Sequence, residues 1–172
     1  MKKILIILLT ALLFVSCTNI KNNETNIEKR YETLLNDWKL DELGLLLDKS
    51  ADSDNNKTAE RYKKLLQERK EDKAALEKMI ESFKTQLESN NFENIEIYFN
   101  DSFINRKILE ELRNIDFSNM KIIYTKPEFY KNNAKNTAAV IFIDNVRYFQ
   151  FSYKLSNKKW SIMEIKDGRR DS

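Results

Sequence analysis

The apolar residues of this chain change their period near Met120. Before it they recur at three- and four-residue spacing; after it they fall in short runs rich in Val, Ile, Phe, Tyr and Trp. The first pattern buries a helical stripe and the second buries a sheet face. Helices first and strands last predict an α+β domain, with N-terminal helices against a curved antiparallel sheet meander. The chain has one cysteine, Cys17. No intramolecular disulfide can form, so an apolar core must hold the domain together.

Ile27 to Asp48 carries Tyr31, Leu34, Leu35, Trp38, Leu43 and Leu46. That spacing predicts one amphipathic helix, weakened near its end by Gly44. Residues 49–57, KSADSDNNK, have loop composition. Thr58 to Leu87 predicts a long helix with Thr58 as N-cap and Tyr62, Leu66, Leu76, Ile80, Phe83 and Leu87 on one face. Arg69 and Lys73 occupy the middle of that stripe, which a pure coiled coil would not accept. The stretch QERKEDK, residues 67–73, therefore reads as solvated, with a stalk or partner-binding helix as the alternative. Ser89 to Glu93 breaks the helix, and shorter helical segments follow near Ile95 to Phe99 and from Asn105 to Arg113.

Strands are predicted at Lys121 to Thr125 with a continuation around Pro127 to Tyr130, then Thr137 to Ile143, Val146 to Leu155 and Trp160 to Lys166. Asp144-Asn145 and Asn157-Lys158 suit two-residue hairpin turns. The first turn sets Ile143 opposite Val146; the second sets Leu155 opposite Trp160 and Tyr153 opposite Ile162. One face then gathers Phe149, Phe151, Tyr153, Trp160 and Glu164 as candidate cavity lining. Glu164 falls opposite Phe151, where a carboxylate among aromatics would have a raised pKa and act as an acid or base. The commoner alternative is a carboxylate that reaches water or pairs with a basic side chain. The other face gathers Ile141, Ile143, Tyr148, Met163 and Ile165. They are candidates for a protein-partner or self-association surface, or for a face covered by residues 27–48.

The chemistry is bounded by absences. With no histidine, Ser-His-Asp and Cys-His catalysis are excluded in their usual forms, and the commonest transition-metal ligand is missing. Gly44 and Gly168 are the only glycines, and no phosphate-cradling loop can be built from them. No catalytic residue, metal ligand or cofactor motif is read. The formal charge of +3 falls to about +1 without Lys2 and Lys3, which gives no basis for a nucleic-acid partner.

Lys2 and Lys3 precede an apolar run from Ile4 to Phe14, and Ser16 puts a small residue before Cys17. The run is about a dozen residues, whereas a spanning helix needs roughly 20. The segment resembles the signal peptide of a bacterial lipoprotein. Phe14-Val15-Ser16-Cys17 matches the lipobox except at Phe14, where Leu is usual. The resemblance implies cleavage after residue 16, lipidation of Cys17 with palmitate-type acyl chains, and a cell-envelope location. Thr18 favours the outer membrane over the inner if the cell has two. Residues 17–26 would be a flexible tether.

Residues 74–168 resemble the cone-shaped fold of nuclear transport factor two and ketosteroid isomerase. The likeness lies in AALEKMIESFKTQLESNNFENIEIYFNDSF, the strand meander and the closing NKKWSIMEIKDG. It implies helices over a concave sheet with a cavity between them. The expected organisation is signal peptide 1–16, tether 17–26, helical spacer 27–73, cone-like domain 74–168 and polar tail 169–172. The expected function is a membrane-anchored envelope lipoprotein with a non-enzymatic binding or assembly role. The alternatives are a small-ligand carrier using the cone cavity and an acid/base enzyme.

Overall fold

Two helices, not one, occupy residues 26–49. The structure, a computed structural model, describes residues 26–50, 56–143 and 145–168. Cys17, the residues expected to form a signal peptide, most of those expected to form a tether, Asp144 and residues 169–172 lie outside the described residues. The chain divides between Gln67 and Glu68 into two compact units, six residues before the boundary expected at 73/74.

In the first unit, α1 covers 26–36, α2 is Leu40–Lys49, and residues 56–67 belong to α3, Asn56–Glu88. The break falls at Trp38, whose φ is 57°. The Trp38 amide donates to the Leu35 carbonyl and the Lys39 amide to the Leu34 carbonyl at 2.9 Å, which closes α1 through a left-handed residue. Turning there brings Leu40, Leu43 and Leu47 into one cluster with Tyr31, Leu34, Leu35, Ala59, Tyr62 and Leu66. The apolar stripe of residues 27–48 is thus used within this unit. Gly44 does not end the helix; a Cβ there would meet Leu66 Cδ2 at an ordinary 3.7 Å. The Tyr31 hydroxyl donates to Ser50 Oγ at 2.8 Å, which donates to the Leu46 carbonyl, fastening the end of α2. Since α3 is already helical at Asn56, Thr58 sits in its first turn and is not its N-cap.

In the second unit, residues 68–88 of α3 present Leu76, Ile80, Phe83 and Leu87, all buried. The stretch 67–73 is not uniformly solvated. Glu68, Arg69 and Asp72 are half-buried, Arg69 donates to Asn132 Oδ1 at 2.9 Å, and the Asp72 carbonyl accepts from Trp160 Nε1–H at 2.7 Å. Burial pushes the Asp72 carboxyl up, against the pull of Arg69 and Lys158.

A short 3₁₀ helix, Ile95–Tyr98, precedes α4, Phe103–Arg113, whose N-cap Ser102 accepts from the Asn105 amide. Five strands follow: β1 Met120–Tyr124, β2 Glu128–Tyr130, β3 Asn133–Phe142, β4 Asn145–Ser156 and β5 Lys159–Asp167. They form an antiparallel, curved, unclosed sheet in the order β1-β3-β4-β5, with β2 also paired to β3. The α+β architecture read from the change of period is therefore what the chain adopts.

The β4–β5 turn is as expected: Leu155 pairs with Trp160 across Asn157 and Lys158, both at positive φ, the signature of a type I′ turn. The β3–β4 register is displaced by two residues. Phe142 pairs with Asn145, and Ile141, not Ile143, opposes Val146. An even displacement keeps every side chain on its expected face. Opposite the Ser152–Tyr153 step of β4, a bulge in β5 takes up Met163, so Tyr153 pairs with Ile162, Ser152 with Glu164 and Phe151 with Ile165.

The loop from α4 to β1 is held by polar contacts. The Asn90 amide side chain donates to Asp116 Oδ1, Asn90 Oδ1 accepts from the Phe117 amide at 2.7 Å, and Ser118 donates to Asp116 through both amide and hydroxyl. The hydrogen bonds from Ser118, then Asn90, hold the Asp116 carboxyl below its ordinary 3.8, at about 2. A depressed carboxylate contributes stability that is complete above its unfolded pKa and is lost as pH falls through the folded one. Acid unfolding of the parent and Asp116→Ala should therefore differ most above pH ~4 and converge towards pH ~2. A difference that persists unchanged at the acid end would reject this role for Asp116.

Candidate ligand-binding cavity

The concave face of the sheet is set by register. Cross-strand partners point the same way, so Met120, Ile122 and Tyr124 of β1 share a face with Phe142, Val140 and Ala138 of β3. Ala138 continues the row to Phe149, and Phe151 to Ile165. Phe83 of α3 meets this face, edge-on to Phe151 at 6.2 Å and to Tyr98 and Phe99 at 5.4 and 5.8 Å. The aromatic face does meet the helices.

Packing does not fill all the space beneath them. A cavity of about 840 Å³ lies between the sheet, the end of α3, α4 and the loop bearing Ile115 and Phe117. Its deep wall is Phe83, Leu87, Phe117, Ile122, Ala138 and Phe151, each buried. Ile108 and Leu112 line it from α4, one helical turn apart. Charge is confined to the exposed rim: Glu111, Arg147 and Asp167, beside Asn145. That combination, an apolar interior with few polar groups, is the usual make-up of small-molecule sites, which run roughly 300–1,000 Å³.

Two tyrosine hydroxyls lie in the adjoining core. Tyr153 donates to Asn136 Oδ1 at 2.9 Å, and burial pushes its phenol up. Tyr124 lines the cavity beside Phe151, ring centroids 5.4 Å apart. Its hydroxyl is buried and has no hydrogen-bond partner among the described residues. Burial, with Glu88 and Glu81 adding, pushes this phenol up as well.

Of the residues expected to line a cavity, Phe149 and Phe151 do so. Tyr153 is buried core with its hydroxyl bonded to Asn136. Trp160 borders a separate hollow of about 230 Å³ with Met79, Ile97 and Tyr98. Glu164 is a correction. The bulge places it opposite Ser152 on the outer face, where it pairs with Lys166 at 3.0 Å. The acid/base role suggested for it has no geometry behind it. Ile165, expected on the outer face, lines the cavity instead.

The remaining outer-face residues do not form the continuous patch expected of them. Ile141 and Tyr148 are near neighbours through the Ala139–Tyr148 pair, and Ile123 joins them opposite Ala139. Met163, at the bulge, is separated from Tyr148 by Gln150 and Ser152 on β4. Ile143 stands 77 % exposed in the turn.

Sequence reasoning missed Tyr124, Ile108, Leu112 and Phe117. The Ile108/Leu112 spacing was a readable helical stripe; the orphaned Tyr124 hydroxyl had no signal, since it depends on what the fold leaves unpaired. Among the described residues, no group of three or more His, Cys, Asp or Glu is placed to hold a metal ion, and no helix is long and apolar enough to cross a membrane. No protein-family model, curated protein or solved structure matches the chain.

Proposed function

We propose that this protein is a lipid-anchored, non-enzymatic binding protein of the cell envelope that carries a small apolar molecule in the cavity of its sheet-bearing unit. The observation that carries the reading is the unfilled apolar cavity of about 840 Å³ between sheet and helices. The hollow opens to solvent at its rim, so the apolar side chains of Phe83, Leu87, Ile122, Val140 and Phe151 form a wall that an entering apolar guest would cover. The order of helices and curved sheet supports the resemblance to the cone fold, and the Phe14–Cys17 box supports attachment through Cys17. Among the described residues, the carboxylates that line the cavity, Glu111 and Asp167, stand at its exposed rim, and Glu164 lies on the outer face.

Titration of the chain from Cys17 onward with the uncharged dye N-phenylnaphthylamine tests the carrier role, since it leaves every described residue in place. Binding should be saturable with fluorescence enhancement. Val140→Trp, which extends a large side chain from the cavity wall, should weaken it about tenfold or more, at least ~1.4 kcal/mol. No binding, or binding that Val140→Trp leaves intact, would reject the cavity as a carrier site.

A further inference from the structure

The carrier reading leaves open what a guest presents at the mouth of the cavity, and the register of the walls bears on it. Arg147 pairs across the sheet with Val140, and Asp167 with Phe149. Cross-strand partners share a face. Both charged residues therefore end cavity-facing rows, Arg147 that of Phe151 and Phe149 on β4, and Asp167 that of Ile165 on β5. Glu111 lines the same opening from α4, beside Ile108 and Leu112. Three separate elements thus each place one exposed charge where the apolar wall meets water.

These charges are not spent on one another. Among the described residues, Glu111, Arg147 and Asp167 make no ion pair. Yet Arg147 and Asp167 are diagonal neighbours on adjacent strands, a spacing that long side chains can bridge. The rest of the lip is apolar: Ile115, Phe142 and Val146 line it and are exposed. A guest closing this mouth takes water from the rim charges, which costs free energy unless the guest pairs them. A purely anionic head would meet Arg147 and two like charges. A purely cationic head would meet two carboxylates and one like charge. A head carrying both signs offers every rim charge an opposite partner. At a wet rim such pairing decides between heads more than it adds raw affinity.

We propose that the cavity's guest is a single-chain amphiphile with a zwitterionic head, of the lysophospholipid class. Its chain covers the apolar wall, its anionic group meets Arg147, and its ammonium group meets Glu111 and Asp167. This rests on the carrier reading and goes beyond it by assigning the guest's head. A cavity of about 840 Å³ is of the size that holds one small molecule, which suits one chain.

Three probes that share a dodecyl-length chain test it: dodecylphosphocholine, dodecyltrimethylammonium and dodecanoate. Each is used below its micelle concentration to displace N-phenylnaphthylamine from the protein starting at Cys17. In the parent, the phosphocholine should bind about threefold or more tightly than either singly charged probe, the scale of one or two exposed ion pairs. Arg147→Gln should lower the phosphocholine-to-trimethylammonium ratio about threefold. Asp167→Asn, and separately Glu111→Gln, should lower the phosphocholine-to-dodecanoate ratio by a similar factor. Ratios cancel any general loss of binding in a variant, and the ranking in the parent tests the same point should a variant fold poorly. A singly charged probe that binds as tightly as the phosphocholine in the parent would overturn the inference. So would ratios unmoved by the substitutions, or a shift on the arginine side alone or the carboxylate side alone, which would reassign the head to a single charge. Dye that binds but is displaced by none of the probes would also overturn it, leaving the carrier standing. Failure of the dye and all three probes to bind would instead remove the carrier reading, and this inference with it.

Discussion

Truncating Trp160 to Ala should destabilise the sheet-bearing unit by about 3–5 kcal/mol, a large share of the roughly 5–15 kcal/mol that holds a typical domain. Trp160 is 3 % exposed, and its ring meets Phe129 edge-on at 6.0 Å. Its indole N–H donates to the Asp72 carbonyl at 2.7 Å, tying the start of β5 to α3. The two contributions separate by substitution. Trp160→Phe retains much of the apolar contact and loses the donor, so it should cost less than Trp160→Ala while still exceeding the roughly 1 kcal/mol of the hydrogen bond. Denaturant midpoints of the parent and both variants read the difference. Near-neutral effects for both would mean that this side of the sheet is not the core.

The second large effect concerns location. Replacing Cys17 by Ala should move the protein from the membrane to the soluble fraction and remove the mass added by acyl chains. A buried acyl chain contributes ~0.8 kcal/mol per methylene, and stable anchoring takes two such signals. The thioether-linked diacylglycerol expected on Cys17 would supply both. Fractionation with mass spectrometry of the parent and variant decides the matter. A variant that stays wholly membrane-bound would mean that the apolar run Ile4 to Phe14 is itself the anchor.

The legibility of this fold varies with the range of the signal that sets each feature. The Asn157-Lys158 hairpin could be read because its register is decided within four residues. The Asp144-Asn145 hairpin could be read only to within two residues. Ten cross-strand pairs from Asn133–Lys154 to Phe142–Asn145 fix the ladder, and the turn conforms, holding Ile143 at a φ of 48°. A β-branched residue is unfavourable there, so the ladder outweighs local turn preference. The break at Trp38 was hidden for a similar reason: the apolar spacing runs on through it, and only the packing of Leu40, Leu43 and Leu47 against Tyr62 and Leu66 requires the chain to turn.

The site was half legible. Phe149 and Phe151 could be assigned because alternation and turn position were enough. The exchange of Glu164 for Ile165 had one faint mark in the sequence: a regular ladder would seat a carboxylate in an aromatic wall while sending an isoleucine outward. Bulges form without Gly or Pro, so no residue type announced this one. The cavity itself is a volume left between elements and has no one-dimensional trace.

The bulge also changes what insertion and deletion mean in β5. The ladder passes from Ile162 to Glu164 over one step of β4, so Met163 is a surplus residue that the sheet absorbs by bending. A chain lacking Met163 would run as an unbroken ladder and still set Ile162 against Tyr153 and Ile165 against Phe151. Removing Ser161 in its place would turn Ile162 outward and draw Met163 in. For this strand, where one residue is lost matters more than which one is exchanged, and Met163 is the position at which the protein can be shortened without turning its inner wall inside out.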